Sequence, residues 1–200
     1  MTSIGIIGAG NVGKAFATAL ARHGIEAILS NSRGPESLKE VAAAIGPTVI
    51  PGTRQEAASQ ETVLVAVHWE ALPAALSDLP DLTGKIVIDA NNPLILPTYA
   101  PVDLGGRLST DVFAGMVPGA RVVRALNHIV APLVAADPAA EGGQRVLFYS
   151  GNDAGAKKQV AALFTRLGFY AVDLGSPETG DRLARFPGGA FAAHNFVRFD

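Results

Sequence analysis

The sequence predicts an α/β domain in three layers, a mostly parallel sheet of about eight strands with helices on both faces. Three observations carry this expectation. Apolar runs of strand length alternate with helix-period segments throughout the 200 residues. The run 62–67 is almost continuously apolar and β-branched, the pattern of a parallel strand buried on both faces. The first run, 4–7, leads directly into Gly8-Ala9-Gly10-Asn11-Val12-Gly13. A helical pattern follows, with Val12, Ala15, Phe16, Ala19 and Leu20 on one face.

The remaining elements follow in order. Gly24 ends the first helix, and a second apolar run stops at Ser30-Asn31-Ser32-Arg33. A helix is expected over 35–45, with Pro35 in its first turn and Gly46-Pro47 as its stop. A short strand at 48–50 precedes Thr53-Arg54-Gln55-Glu56, a capping box. After 62–67, a helix is expected over 69–79 and a strand over 85–90, closed by Asn91-Asn92-Pro93. A loop rich in Pro and Gly then runs to 108, and Ser109 caps a short helix to about 116. Further strands are expected at 121–126, 145–150 and 169–174, with a surface insertion at 137–143. Asn152 or Asp153 caps a helix that Gly168 ends. Ser176-Pro177-Glu178 starts a final helix, and 175–200 form that helix and an aromatic, glycine-rich tail.

Composition narrows the class. Hydrophobic residues make up 48%, enough for a sizeable core, and the length suits a single domain spanning 1–200. The net charge is −2 and no basic stripe occurs, so nucleic acid is not an expected partner. There are no cysteines, which excludes disulfides and thiolate chemistry. No signal peptide or membrane-spanning run is recognisable, and a cytoplasmic protein is expected.

The glycine run is a dinucleotide fingerprint in its proper context, between a strand and a helix. Gly8 allows the tight turn, Gly10 lets backbone approach a pyrophosphate, and Gly13 permits close packing of the helix. The free N–H groups of the helix start then face the phosphates. NAD binders usually carry an acidic residue at the end of the second strand. This chain has Ser30, Asn31, Ser32 and Arg33 instead, a set suited to a 2′-phosphate. The expected cofactor is NADP(H). Lys14, just past the glycines, reads as an exposed helix residue.

In such a sheet the ligand crosses the carboxyl ends of the strands. Cofactor-binding candidates are therefore Gly8, Ala9, Gly10, Asn11, Val12 and Gly13, with Asn31, Ser32 and Arg33 at the second strand. Val67, His68 and Trp69, Asn91 and Asn92, and Ala125 and Asn127 stand at the ends of the next three. His128 is the preferred acid–base candidate, ahead of His68 and the tail residue His194, because it follows a strand. No metal-ligand spacing is present. Hydride transfer between two bound rings needs mainly alignment and exclusion of water, so a site poor in acids and bases is adequate for it.

These segments together resemble the coenzyme F420-dependent NADP oxidoreductases. The similarity lies in Ile6-Ile7-Gly8 through Gly13, 30–38, Ala66-Val67-His68-Trp69, 87–93, 122–127 and the closing 183–189. It implies a Rossmann core without a separate helical substrate domain, NADP(H) with its 2′-phosphate near Ser32 and Arg33, a deazaflavin as the small-molecule hydride acceptor, and a homodimer. Arg107 and Arg124 are isolated arginines, so no residue set for the deazaflavin's acidic tail is matched. A flavin, a quinone, or a carbonyl or imine protonated by His128 remains open as acceptor, as does a module that senses NADPH without turnover.

Overall fold

The computed structural model describes residues 3–140 and 142–199. Strand β1 (Ile4–Ile7) runs into helix α1 (Asn11–Arg22), β2 (Ala27–Ser30), α2 (Lys39–Ile45), β3 (Val49–Pro51) and α3 (Arg54–Ala58). Then come β4 (Thr62–Val65), α4 (Leu72–Leu76), β5 (Ile86–Asp89), the short pair β6 (Leu94–Ile95) and β7 (Ala100–Pro101), α5 (Ser109–Met116) and β8 (Arg121–Ala125). The last elements are α6 (Ala131–Ala135), β9 (Ala139–Ala140), β10 (Gly143–Ser150), α7 (Ala154–Arg166), β11 (Tyr170–Asp173), α8 (Pro177–Ala184) and β12 (Val197–Arg198).

The sheet runs β11-β10-β8-β5-β4-β1-β2-β3, with β9 and β12 also paired to β10. From β3 to β8 every neighbour is parallel. The chain builds β1, β2 and β3 outward, then crosses back to place β4 on the other side of β1, and the crevice opens at that reversal. This is the expected three-layer Rossmann architecture. β10 departs from the parallel run: it lies antiparallel to β8, because the short segment α6 and β9 returns the chain without a full crossover.

Side-chain alternation fills the two faces. Ile6, Leu64, Ile86 and Ile88 pack with Phe16, Leu20 and Phe164 on one side. Ile7, Val63, Val65 and Val87 pack with Trp69, Leu72 and Phe113 on the other. Four expected elements differ in detail. The helix over 35–45 begins as a 3-10 turn, Pro35–Leu38. That over 69–79 is a 3-10 turn, Trp69–Ala71, followed by α4, which ends where Ser77 turns extended. The loop before 108 contains the β6–β7 pair. The insertion at 137–143 contains β9, with residue 141 outside the described residues. Caps form as expected at Thr53, with its reciprocal Glu56 bond, and at Asp153, which accepts from Ala156 N–H at 2.7 Å.

Candidate active site

A cleft of about 830 Å³ runs across the carboxyl ends of β1, β2, β4 and β5. Its middle is the turn 8–12. Gly8 has φ +113°, and a Cβ there would collide with the Ala66 carbonyl. A Cβ on Gly13 would strike the Gly8 carbonyl, so this glycine lies beneath the turn rather than in the cleft wall. Around Gly10 nothing would obstruct a Cβ, and it caps α1 without any side chain. The first turn of α1 holds no acidic residue. That arrangement leaves a bare, positive helix end facing an open space, which fits a pyrophosphate.

One end of the cleft is formed by Asn31, Ser32 and Arg33. Asn31 shapes it: its Oδ1 accepts from Arg33 N–H at 2.9 Å and its Nδ2 donates to Ser37 Oγ at 2.9 Å. The exposed side chains of Ser32 and Arg33 project from that turn. Arg54, in the first turn of α3, adds a second guanidinium. It donates to the carbonyls of Ala74, Ala75 and Ser77 at the end of α4. Ala71, Ala74 and Ala75 line the slot beside it. No carboxylate occurs among the lining residues.

The other end is walled by Asn91, Asn92, Leu94, Leu96, Tyr99 and Phe186. Here the polar groups are bonded to one another. Arg124 and Asp89 form an ion pair at 2.9 Å, with side chains 1% and 0% exposed. Burial raises the Asp89 pKa, against the opposing pull of Arg124 and two donors from Asn91. Asn91 Nδ2 donates to Asp89 at 2.7 Å, and Asn91 Oδ1 accepts from Val67 N–H at 2.9 Å. Asn91 thus joins the ends of β4 and β5 and has little capacity left for a ligand.

Val67, His68 and Trp69 line the cleft, with His68 exposed and Trp69 packed into the core below. Ala125, Asn127 and His128, expected at the site, do not line it. Leu126 takes φ +63°, and beyond this turn His128 is buried against Phe148 at 5.2 Å between ring centroids. Phe148 N–H donates weakly to its Nε2 at 3.5 Å, its Nδ1 has no partner, and burial lowers its pKa to about 4. A buried neutral imidazole outside the cleft is not placed to protonate a bound product. His194 is exposed beside Phe196, also away from the cleft.

Sequence reasoning missed Arg54, the alanines of α4, the β6–β7 residues and Phe186. Arg54 had a signal, since it follows the strand next to β2. Phe186 belongs to the closing 183–189 segment that carries the resemblance, but nothing local placed it in the cleft, because it arrives by long-range closure of the tail. Among the described residues no group of three or more His, Cys, Asp or Glu is placed to hold a metal, and no helix is long and apolar enough to cross a membrane.

The fold and cleft define a dinucleotide-binding domain. Residues 3–93 match the model of the family "NADP oxidoreductase coenzyme F420-dependent". A hypothetical protein from Sinorhizobium meliloti superposes with TM-score 0.94 at 40% identity, covering 100% of this chain and 97% of that one. A structure from Arthrobacter sp. FB24, provisionally described as an F420-dependent NADP reductase, has TM-score 0.75 and 31% identity, covering 90% of this chain and 87% of the other. The chain belongs to the family of coenzyme F420-dependent NADP oxidoreductases, and its cofactor class is NADP(H). The rat metalloreductase STEAP3 is 29% identical over 186 residues, which is 92% of this chain and 36% of that protein. The chain therefore spans about a third of the length of these curated relatives.

Proposed function

We propose that this protein transfers hydride between NADPH and a planar ring acceptor, a deazaflavin of the F420 type or a flavin. The observation that carries the reading is the unequal cleft. One end offers free donors and two guanidinium groups with no carboxylate, and the other offers Leu94, Leu96, Tyr99 and Phe186, with the buried Asp89 tied to Arg124. The backbone of 8–12 would hold the pyrophosphate, and Ser32 and Arg33 the 2′-phosphate. Asn91 and Asn92 shape the wall beside the nicotinamide, which supplies the hydride when bound. The apolar end excludes water and aligns the acceptor, which is what such a transfer needs. A cytoplasmic homodimer is part of this reading, drawn from family membership, and sedimentation of the purified protein tests the dimer.

The test is anaerobic mixing of the protein with NADPH and, separately, a deazaflavin, a flavin and a small carbonyl compound. Loss of the reduced-nicotinamide absorbance with a ring acceptor supports the proposal. Tight NADPH binding with no oxidation by either ring overturns it, leaving a carbonyl reductase if the carbonyl is reduced and a sensing module if it is not.

A further inference from the structure

The turn that ends α8 is tied to the strand ends by two asparagines. The last carbonyls of a helix lack intrahelical donors, and Asn127 Nδ2 donates to that of Ala184 at 2.9 Å. The Asn127 carbonyl accepts from Asn92 Nδ2 at 2.8 Å. Asn92 Oδ1 accepts from Phe186 N–H at 3.4 Å and from Arg124 Nη2 at 3.3 Å. Arg124 is fixed in turn by its buried pair with Asp89. Farther along, Phe191 N–H donates to the Leu183 carbonyl at 2.7 Å, and the Phe191 ring stacks on Phe148 at 4.7 Å. The segment 184–191 is thus held at both ends. Phe186 is its one residue in the cleft, where its ring meets Tyr99 edge-on at 6.5 Å.

We infer that Asn92 and Asn127 are positioning residues that hold the turn 184–186, and that Phe186, presented by that turn, determines which acceptor the cleft admits. The second half rests on the proposed ring transfer. Asn92 Oδ1 and Asn127 Nδ2 are both engaged with this turn, and Asn92 Nδ2 links the two asparagines, so these groups serve the turn rather than the nicotinamide. An aromatic wall held this way selects its ligand by shape and stacking.

Asn127→Ala removes the tie to Ala184 and leaves the Asp89–Arg124 pair intact. Amide hydrogen exchange at 184–186 is expected to speed up about tenfold or more, with exchange at 8–13 unchanged. NADPH affinity, read from Trp69 fluorescence, stays within about twofold, while the acceptor KM rises about tenfold and kcat changes less. Phe186→Leu keeps slow exchange and still raises the acceptor KM about tenfold. Unchanged exchange at 184–186 in Asn127→Ala, or an acceptor KM within about twofold of wild type in Phe186→Leu, overturns the inference. Should Asn127→Ala fail to fold, Asn127→Asp, which keeps the shape and loses the donor, is read the same way. If the unaltered protein reduces no ring acceptor, the proposed function and the role of Phe186 fall together. Hydrogen exchange still decides the role of the asparagines.

Discussion

At the end of the cleft formed by 31–33, and at the turn 8–12 beside it, donors face outward; at the end formed by Asn91, Asn92 and Phe186, they are bonded to one another. The first end is short-range structure, a turn and a helix start whose shape follows from adjacent residues. The second is assembled from β4, β5, β8 and the tail through the Asp89–Arg124 pair. Polar groups in the first wait for a ligand, and polar groups in the second serve the fold. Recognition at the second end accordingly falls to apolar and aromatic surface. The contrast also separates what substitutions of polar groups do: those at the first end act on cofactor binding, and those at the second act on the fold that holds the acceptor wall.

The largest effect tests that separation directly. Arg124→Met leaves Asp89 buried without its cation, and removing one partner of such a pair costs about 3–5 kcal/mol. Urea unfolding measures the loss, and Asp89→Leu added to Arg124→Met recovers much of it. A loss below about 1 kcal/mol for the single variant would remove the pair from its central place.

His128 gives the next effect, through pH. Its pKa is 6.5 when unperturbed and about 4 in the folded protein, because burial disfavours the imidazolium. Between those values the unfolded chain binds more protons, so stability falls as pH drops from 6.5 and levels off below 4. The shift corresponds to roughly 3 kcal/mol across that window. His128→Phe, which suits the cluster of Phe148, Phe191 and Phe196, flattens this part of the profile. Thermal unfolding at several pH values reads it, and an unchanged slope in the variant assigns the pH dependence elsewhere.

The contrast between the ends also explains what could be read in advance. Gly8, Gly10 and Gly13 state their roles in six residues, and Ser32 and Arg33 follow a recognisable strand. His128 and Asn127 share a strand end with nothing local to say where their side chains go. The left-handed turn at Leu126 and the arrival of the tail decide it. Asn127 thereby caps α8 and His128 enters the core, although both stood as site candidates. Phe186 lies at the end of α8, 94 residues from the Asn92 side chain that it meets, and no periodicity reports such a contact. The antiparallel placement of β10 was equally hidden, since an apolar run carries no direction.

A third effect lies wholly at the donor end. Arg33→Ala removes the guanidinium proposed for the 2′-phosphate. Hydrogen bonds to a charged group are worth about 1.5–3 kcal/mol, so NADPH affinity should fall roughly 10- to 100-fold. NADH affinity and unfolding midpoint should stay near wild type, because the side chain is exposed. Equal weakening of both nucleotides in titration calorimetry would assign Arg33 to another part of the cofactor.

Arg54 lies at the same end but uses its guanidinium on the fold, and so tests the contrast most finely. Its Nη1 donates to Ala75 O at 2.9 Å and to Ser77 O at 3.4 Å, besides Ala74 O, which are carbonyls left over at the end of α4. A cation there also meets the negative end of that short helix. Arg54→Ala should therefore loosen the alanine-lined slot rather than delete a phosphate contact. The expected result is a loss of about 0.5–1 kcal/mol in stability and a two- to fivefold weakening of NADPH and NADH alike. Parallel titrations with the two nucleotides separate the cases. A loss confined to NADPH would place Arg54 beside Arg33 as a phosphate ligand, and the donor end would then hold two cations aimed at the cofactor.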